Sequence, residues 1–169
     1  MVASRTAGPS KAKRPARGLT QPAASGPIKL GALSEFLGYS LKRAQLRIFD
    51  DFIGCVASLQ LTPAQFSVLM LVDANPGRNQ TEIASTLGIL RPNFVAMLDE
   101  LESRDLCVRV RSSNDRRSHI LRLTEKGRAV LTRARKLIET RHEARLEELL
   151  GKDNRDLLLA MLGKIAREF

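Results

Sequence analysis

The stretch from Asn79 to Leu123 restricts the possible folds more than any other part of the chain. A short helical segment at Thr81–Leu87 is followed by a Gly88-Ile89 turn and a second helical segment from about Pro92 to Arg104. Two stretches of alternating apolar and polar residues then flank a polar, basic tip at residues 112–118, the pattern of a β-hairpin. Two helices joined by a tight turn and followed by a basic hairpin predict a winged helix-turn-helix that docks on DNA.

The charge of the chain is unevenly distributed. The net charge is +10, from 28 Lys and Arg against 18 Asp and Glu, and residues 1–34 hold six cations and no acid. Because the first segment is rich in Pro, Ala, Gly and Ser, it cannot build a core, and we predict a disordered basic tail over residues 1–30. A basic arm beside a mildly basic domain suits a polyanion such as DNA.

Two further sequence features concern the location of the protein. The tail lacks the apolar run of a secretory signal. No stretch approaches the roughly 20 apolar residues that span a bilayer. We therefore predict a cytoplasmic protein.

The segments on either side of the predicted winged helix-turn-helix have the periodicity of long amphipathic helices. Apolar residues recur at spacings of three and four from Leu33 to Leu59, and a helix capped by Thr124 is expected from Glu125 to about Leu150, before a last helix. A winged domain of about 70 residues does not need these helices for its own core. We therefore expect them to pack against a second copy in a symmetric dimer.

The predicted fold class is mainly α with a small β-wing, a winged helix-turn-helix plus N- and C-terminal dimerisation helices. The domain is expected over residues 31–169, with the winged helix-turn-helix at about 61–123 and the dimerisation helices at about 33–59 and 125–169. No nucleophile–base pairing, metal cluster or phosphate-cradling glycine loop is visible in the sequence, so we predict that the chain is not an enzyme and uses no cofactor.

Local signals place the helix starts and one strand. Thr62 is expected to cap a helix, with Gln65 as the reciprocal partner of a capping box, and Asn79 and Glu82 repeat that arrangement. The first strand is expected to be half-buried, with two alternating sets of residues, the apolar set Leu106, Val108 and Val110 and the set Cys107, Arg109 and Arg111.

The cysteines and histidines give no metal motif in the sequence. Cys55 and Cys107 lie in apolar contexts, which favours buried, reduced thiols, and neither has a neighbouring Lys or His that would lower its pKa. His142 lies among charged residues and is expected to be solvated. A redox sensor that uses either cysteine remains an alternative function, as does a constitutive DNA-binding protein.

Several motifs in fixed order resemble the MarR family of bacterial transcriptional regulators, over residues 33 to 169. They are Leu61-Thr62-Pro63-Ala64-Gln65-Phe66, Gln80-Thr81-Glu82-Ile83-Ala84, Leu98-Asp99-Glu100-Leu101-Glu102-Ser103-Arg104, Asp115-Arg116-Arg117-Ser118 and Leu123-Thr124-Glu125-Lys126-Gly127. The resemblance implies a dimeric winged-helix regulator, with a recognition helix in the major groove, a wing arginine in the minor groove, and an aromatic ligand that weakens DNA binding. Asp105 stands where the family usually has glycine, and Asp tolerates the left-handed conformation expected there.

The start of the recognition helix, Arg91-Pro92-Asn93-Phe94-Val95-Ala96, resembles the branch that controls hydroxycinnamate and related aromatic-acid catabolism. That resemblance implies an aromatic acid or an aromatic acyl-coenzyme A thioester, such as p-coumaroyl-CoA, as the effector. The predicted function is therefore a ligand-responsive repressor that acts as a homodimer on a pseudo-palindromic operator.

The candidate DNA-binding residues are Gln80, Thr81, Leu90, Arg91, Pro92, Asn93, Ala96, Asp115, Arg116 and Arg117. Arg can pair with guanine and Asn with adenine in the major groove, although phosphate contact alone is the alternative for Arg91 and Asn93. One wing arginine is expected in the minor groove. Free amide groups at the start of the supporting helix favour phosphate, with ordinary capping as the alternative for Gln80 and Thr81.

The candidate ligand-binding residues are Phe36, Tyr39, Arg43, Arg47, Phe66 and Met70. Arg43 and Arg47 lie one turn apart beside aromatic residues, and paired guanidinium groups suit a carboxylate or phosphate. The alternative for both arginines is a surface salt bridge with Asp50 or Asp51.

Overall fold

A computed structural model describes residues 26–111 and 119–168 of the chain. In chain order the elements are α1 (Leu37–Val56), α2 (Pro63–Ala74), α3 (Gln80–Thr86), α4 (Arg91–Ser103), β1 (Cys107–Arg111), β2 (His119–Leu123), α5 (Glu125–Leu137), a π-helical segment (Ile138–Glu143), α6 (Ala144–Leu150) and α7 (Lys152–Glu168). Short 3-10 turns lie on either side of α1, at Gly31–Glu35 and Ala57–Leu59. The mainly helical fold with a small β-wing is confirmed.

The core holds the recognition helix against the hairpin and the supporting helices. The largest fully buried side chains are Phe94, Leu69, Leu98, Leu101, Leu106, Leu121, Val56, Val68 and Cys107. Strands β1 and β2 pair antiparallel, with Cys107 opposite Leu123, and the Leu121 amide donates to the Arg78 carbonyl at 3.0 Å. The base of the wing is thereby tied to the segment that leads into α3.

The predicted helix starts are confirmed. Thr62 Oγ1 accepts from the Gln65 amide at 3.1 Å, and Gln65 Oε1 accepts from the Thr62 amide at 3.0 Å. Asn79 and Glu82 form the second reciprocal box. Asp105 adopts a φ of 58°, the left-handed conformation that the sequence predicts after the recognition helix.

Strand β1 is half-buried, as the sequence predicts. Cys107 is fully buried, whereas the Val108 side chain is exposed. Arg109, two residues on, lies on the same side of the strand as Cys107, and α4 neutralises it there: its guanidinium pairs with Glu102 and, at 2.7 Å, with Asp99. Alternation of residue types alone does not reveal these acidic partners.

The helix predicted from Glu125 to Leu150 contains a change of geometry that the sequence does not signal. Residues Ile138–Glu143 form a π-helical segment between α5 and α6. Such segments are rare and frequently lie at functional sites. Here the segment places Ile138 and His142 in the interior.

The N- and C-terminal helices carry large apolar side chains that stay exposed in a single protomer. α7 has no buried residue. The exposed set includes Leu33, Phe36, Leu37, Leu46, Phe49, Ile53, Leu149, Leu157, Leu158, Leu159, Met161 and Leu162. An amphipathic helix depends on burying its apolar face, so this surface fits the predicted dimerisation role.

Within the described part of the chain, no helix taken alone is both long and apolar enough to cross a bilayer. The helical segments 37–59 and 63–74 reach the necessary length and apolar composition only when taken together, and they meet at a bend of 70°.

Candidate DNA-binding face and ligand cavity

The candidate DNA contacts that the structure describes lie around the start of α4. Leu90 has an extended conformation before the first turn, and Pro92 occupies that turn, where its missing amide hydrogen costs no hydrogen bond. The exposed candidates are Thr81, Leu90, Arg91, Pro92, Asn93 and Ala96, and Gln80 is half-buried. Gln80, Thr81 and Arg91 line one shallow groove of about 180 Å³. The wing candidates Asp115, Arg116 and Arg117 lie outside the described residues.

The start of α3 supports capping for Thr81. Asn79 Oδ1 accepts from the Thr81 amide at 2.9 Å and from the Glu82 amide at 3.0 Å. The hydrogen bond from the Asn79 amide and the Arg78 guanidinium lower the pKa of Glu82 below its ordinary value. The Thr81 amide therefore already has an acceptor within the protein, and a DNA contact of this residue would use its side chain.

Two arginines fix the far end of the recognition helix. Arg104 donates to the Leu59 and Gln60 carbonyls, both at 2.7 Å, which ties α4 to the end of the 3-10 turn after α1. Arg109 joins β1 to α4 through Glu102, whose carboxylate also accepts from the Arg109 amide at 2.7 Å. The recognition helix is thus held at both the α1 side and the wing side.

An apolar cavity of about 410 Å³ lies beside the helix-turn-helix. Its walls come from α1, the first turns of α2, the π-helical segment and the turn between α3 and α4. The lining residues are Ile48, Phe49, Phe52, Pro63, Ala64, Phe66, Ser67, Leu87, Ile89, Ile138, His142 and Glu143. A predominantly apolar cavity with a few polar groups is typical of a small-molecule site.

The structure separates the six candidate ligand residues. Phe66 lines the cavity, and Met70 packs against the core from a half-buried position. Phe36, Arg43 and Arg47 are exposed and Tyr39 is half-buried; none of the four lines this cavity in the single protomer. Their contact with a ligand stays a prediction.

Asp51 does not pair with the arginines of its own helix, so the alternative of a salt bridge from Arg43 or Arg47 to Asp51 is wrong. Asp51 Oδ2 lies 2.7 Å from His142 Nδ1, and Asp51 Oδ1 pairs with Arg145. The hydrogen bond with His142 is the largest cause that lowers the pKa of Asp51, and Arg145 adds to it, against the opposing effect of burial.

His142 is buried, with 3% of its surface exposed, so the expectation of a solvated histidine is wrong. Its ring packs edge-on against Phe52, with the ring centroids 5.7 Å apart. Neighbours in sequence suggested a charged surface, but the π-helical segment turns this residue inward. His142 is therefore a functional candidate that the sequence analysis missed.

Cys55 extends the Asp51–His142 pair into a cluster that also escaped the sequence analysis. One ligand atom from each of the three residues lies within 4.8 Å of the others, an arrangement that could hold a metal ion, and Cys55 Sγ is 4.0 Å from Asp51 Oδ2. The carboxylate of Asp51 already binds His142 and Arg145. The positive charge of Arg145 opposes the binding of a cation. Cys55, which has no neighbouring histidine in the sequence, has His142 near it in space, from a distant element.

Cys107 is a poor candidate for a redox switch. It is fully buried, and burial, followed by the charge of Glu102, raises the pKa of its thiol to about 12. Since the thiolate is the reactive form, we expect iodoacetamide near neutral pH to leave Cys107 unmodified in the native protein and to modify it after denaturation. Mass spectrometry of the labelled peptides measures both, and rapid labelling of native Cys107 would contradict the expectation.

Ile89 lies between the two sites. This residue of the helix-turn-helix turn lines the apolar cavity and also the groove that contains Gln80, Thr81 and Arg91. The turn itself is fixed by Gly88, whose φ is 62°, and by a bond of 3.0 Å from the Ile89 amide to the Ala84 carbonyl. A molecule in the cavity would therefore touch the segment that sets the direction of α4.

Comparison with known proteins gives consistent results. The model of the MarR family matches residues 61–119. A structure of the transcriptional repressor CouR bound to a 23-mer DNA duplex is 74% identical, with a TM-score of 0.81, covering 83% of this chain and 99% of that chain. CouR bound to p-coumaroyl-CoA is also 74% identical, with a TM-score of 0.80, covering 85% of this chain and 100% of that chain.

A more distant relative is the putative transcriptional regulatory protein for the hcr operon of Thauera aromatica. It is 28% identical over 139 residues, which is 82% of this chain and 83% of that protein. These relatives are transcriptional regulators, in agreement with the prediction that the chain is not an enzyme.

Proposed function

The chain belongs to the MarR family of transcriptional regulators, and we propose that it is a homodimeric repressor released from its operator by an aromatic acyl-CoA thioester such as p-coumaroyl-CoA. The observation that carries the ligand-responsive part is the position of the apolar cavity. Leu87 and Ile89, at the turn before the recognition helix, form part of its wall. Ligand occupancy and DNA docking therefore depend on the same turn.

The proposed DNA contacts come from the start of α4 and from the wing. Arg91 and Asn93 are exposed at the first turn of α4, where the residues of a recognition helix meet base edges. Arg116 and Arg117 are proposed to bind in and beside the minor groove, as predicted from the sequence. Since DNA is the target, we propose that the protein acts in the cytoplasm.

The proposed dimer buries the exposed apolar faces of the terminal helices. Leu157, Leu158 and Met161 of α7 remain exposed in one protomer, as do Phe36 and Leu37 near the start of α1. Pairing these faces around a two-fold axis would place two recognition helices on two half-sites about one helical turn of DNA apart.

The size and chemistry of the cavity support an aromatic acyl group as the buried part of the ligand. A volume of about 410 Å³ is at the small end of the range for ligand sites, enough for a ring and a short acyl chain but not for a whole coenzyme A. We propose that the coenzyme A phosphates lie outside the cavity, where the exposed Arg43 and Arg47 and the basic tail provide the candidate cations.

The proposed mechanism is a population shift. A ligand in the cavity changes the DNA affinity only if it binds one orientation of the two recognition helices more tightly than another. A coupling free energy of about 1–3 kcal/mol is typical and would weaken DNA binding by about 5–150-fold.

The proposal predicts release of DNA by the thioester. Fluorescence anisotropy of the protein on its own upstream DNA, at fixed salt, should show tight binding that p-coumaroyl-CoA weakens, because the ligand contacts the turn before α4. Free p-coumarate and free coenzyme A are the matched controls, and neither should have the full effect. Operator binding that ignores all three compounds would leave a constitutive DNA-binding protein and overturn the ligand part of the proposal.

A further inference from the structure

We propose that Asp51 and His142 together select a ligand whose aromatic ring carries a hydroxyl group, with His142 Nε2 as the acceptor of a hydrogen bond from that hydroxyl. This inference rests on the proposed function, since it concerns the group that the same cavity recognises. It goes further by assigning the selectivity to one atom.

The hydrogen bond between His142 and Asp51 determines which ring nitrogen of His142 carries the hydrogen. The distance of 2.7 Å between His142 Nδ1 and Asp51 Oδ2 is that of a hydrogen bond, and an ionised carboxylate can only accept. Nδ1 therefore carries the hydrogen. Arg145 holds the second oxygen of Asp51, which fixes the orientation of the carboxylate. In the neutral imidazole the other nitrogen, Nε2, is then an acceptor.

The other ring nitrogen of His142, Nε2, makes no hydrogen bond within the described residues. Only 4% of the His142 side chain is exposed. Among the described residues, every side-chain nitrogen or oxygen that is fully buried has a hydrogen-bond partner. Because the bond described for this ring uses Nδ1, Nε2 keeps contact with accessible space. His142 lines the apolar cavity, so we infer that Nε2 faces it.

Two other polar side chains, Ser67 and Glu143, line the cavity. The Ser67 hydroxyl donates to the Pro63 carbonyl at 2.9 Å. Glu143 pairs with Arg155. These bonds use the Ser67 hydrogen and one Glu143 oxygen, and the lone pairs that remain on both groups can still accept. Ser67 and Glu143 are half-buried, however, whereas His142 is buried, so Nε2 is the acceptor for which an unmade hydrogen bond costs most. A phenolic hydroxyl supplies a donor, and a ring without one leaves Nε2 unpaired in an apolar site, which costs affinity.

The test compares two thioesters that differ by one hydroxyl group. Isothermal titration of the full-length protein should give a Kd for p-coumaroyl-CoA at least about tenfold lower than that for cinnamoyl-CoA, a ratio that corresponds to about 1.4 kcal/mol. His142→Phe should remove this preference by weakening p-coumaroyl-CoA much more than cinnamoyl-CoA. His119→Phe, the same replacement at an exposed histidine of β2 that does not line the cavity, should retain it.

A second variant tests the same inference if His142→Phe does not fold. In Asp51→Asn the amide can donate to Nδ1, which moves the ring hydrogen to Nε2 and makes that atom a donor. The preference for the hydroxyl should then fall, and p-methoxycinnamoyl-CoA, whose ether oxygen only accepts, should bind relatively better than it does to the wild type. Equal wild-type affinity for p-coumaroyl-CoA and cinnamoyl-CoA overturns this inference alone. Absence of binding of any thioester overturns the proposed function with it.

Discussion

Replacing Gly127 by alanine should lower the free energy of unfolding by about 3 kcal/mol, the upper end of the usual cost of inserting a group into a packed interior. A Cβ atom on Gly127 would lie 1.9 Å from the Leu106 carbonyl oxygen and 2.8 Å from the Leu106 carbonyl carbon. These are backbone atoms, so no side-chain rotation relieves the clash. The same oxygen accepts from the Thr124 amide at 3.2 Å, and Thr124 caps α5 through its bond with the Gly127 amide.

Urea unfolding followed by circular dichroism measures this effect at a fixed protein concentration, which matters for a dimer. Gly54→Ala is the matched control, because a Cβ atom at Gly54 in α1 meets nothing within 4 Å in the protomer and alanine favours a helix over glycine. A Gly127→Ala midpoint equal to that of the wild type would show that the strand–helix junction can move apart without cost.

The features that the sequence predicts best are those whose causes are local. The boxes at Thr62 and Asn79 involve residues three positions apart, so the spacing of residue types is enough to find them. Asp105 is similar, since the need for a left-handed residue after α4 arises from the helix end itself. These local signals are enough to predict the two helices of the helix-turn-helix.

The features that the sequence misses depend on partners far along the chain. Asp51 and His142 are 91 positions apart, and neither residue type nor spacing indicates that they meet. Arg109 pairs with Glu102 and Asp99 of α4, and the alternation along β1 does not reveal these partners.

The cavity depends on how several elements pack, so its wall could be found only in part. Phe66, a predicted ligand residue, lines the cavity, but the sequence does not indicate that Phe52, Leu87 and Ile138 share its wall. The periodicity of each helix shows which face is apolar. It does not show where two apolar faces fail to fill the space between them.

Replacing Arg91 by alanine should weaken operator binding by about 5–150-fold, the effect of losing a bidentate contact worth about 1–3 kcal/mol. Arg91 is the first residue of α4 and lines the exposed groove with Gln80 and Thr81. Fluorescence anisotropy on the operator and on an unrelated duplex, across a range of salt concentrations, measures the loss. Arg133→Ala, which removes an exposed arginine from α5, is the control of equal charge.

The comparison of the two duplexes distinguishes a base contact from a phosphate contact at Arg91. Loss of a base contact should reduce the operator affinity strongly and the affinity for unrelated DNA only slightly, because base edges carry the sequence information. Loss of a phosphate contact should weaken both duplexes equally and reduce the slope of log K against log salt by about 1. An Arg91→Ala protein that binds the operator as tightly as Arg133→Ala would remove the start of α4 from the DNA interface and leave sequence recognition to the rest of the recognition helix and the wing.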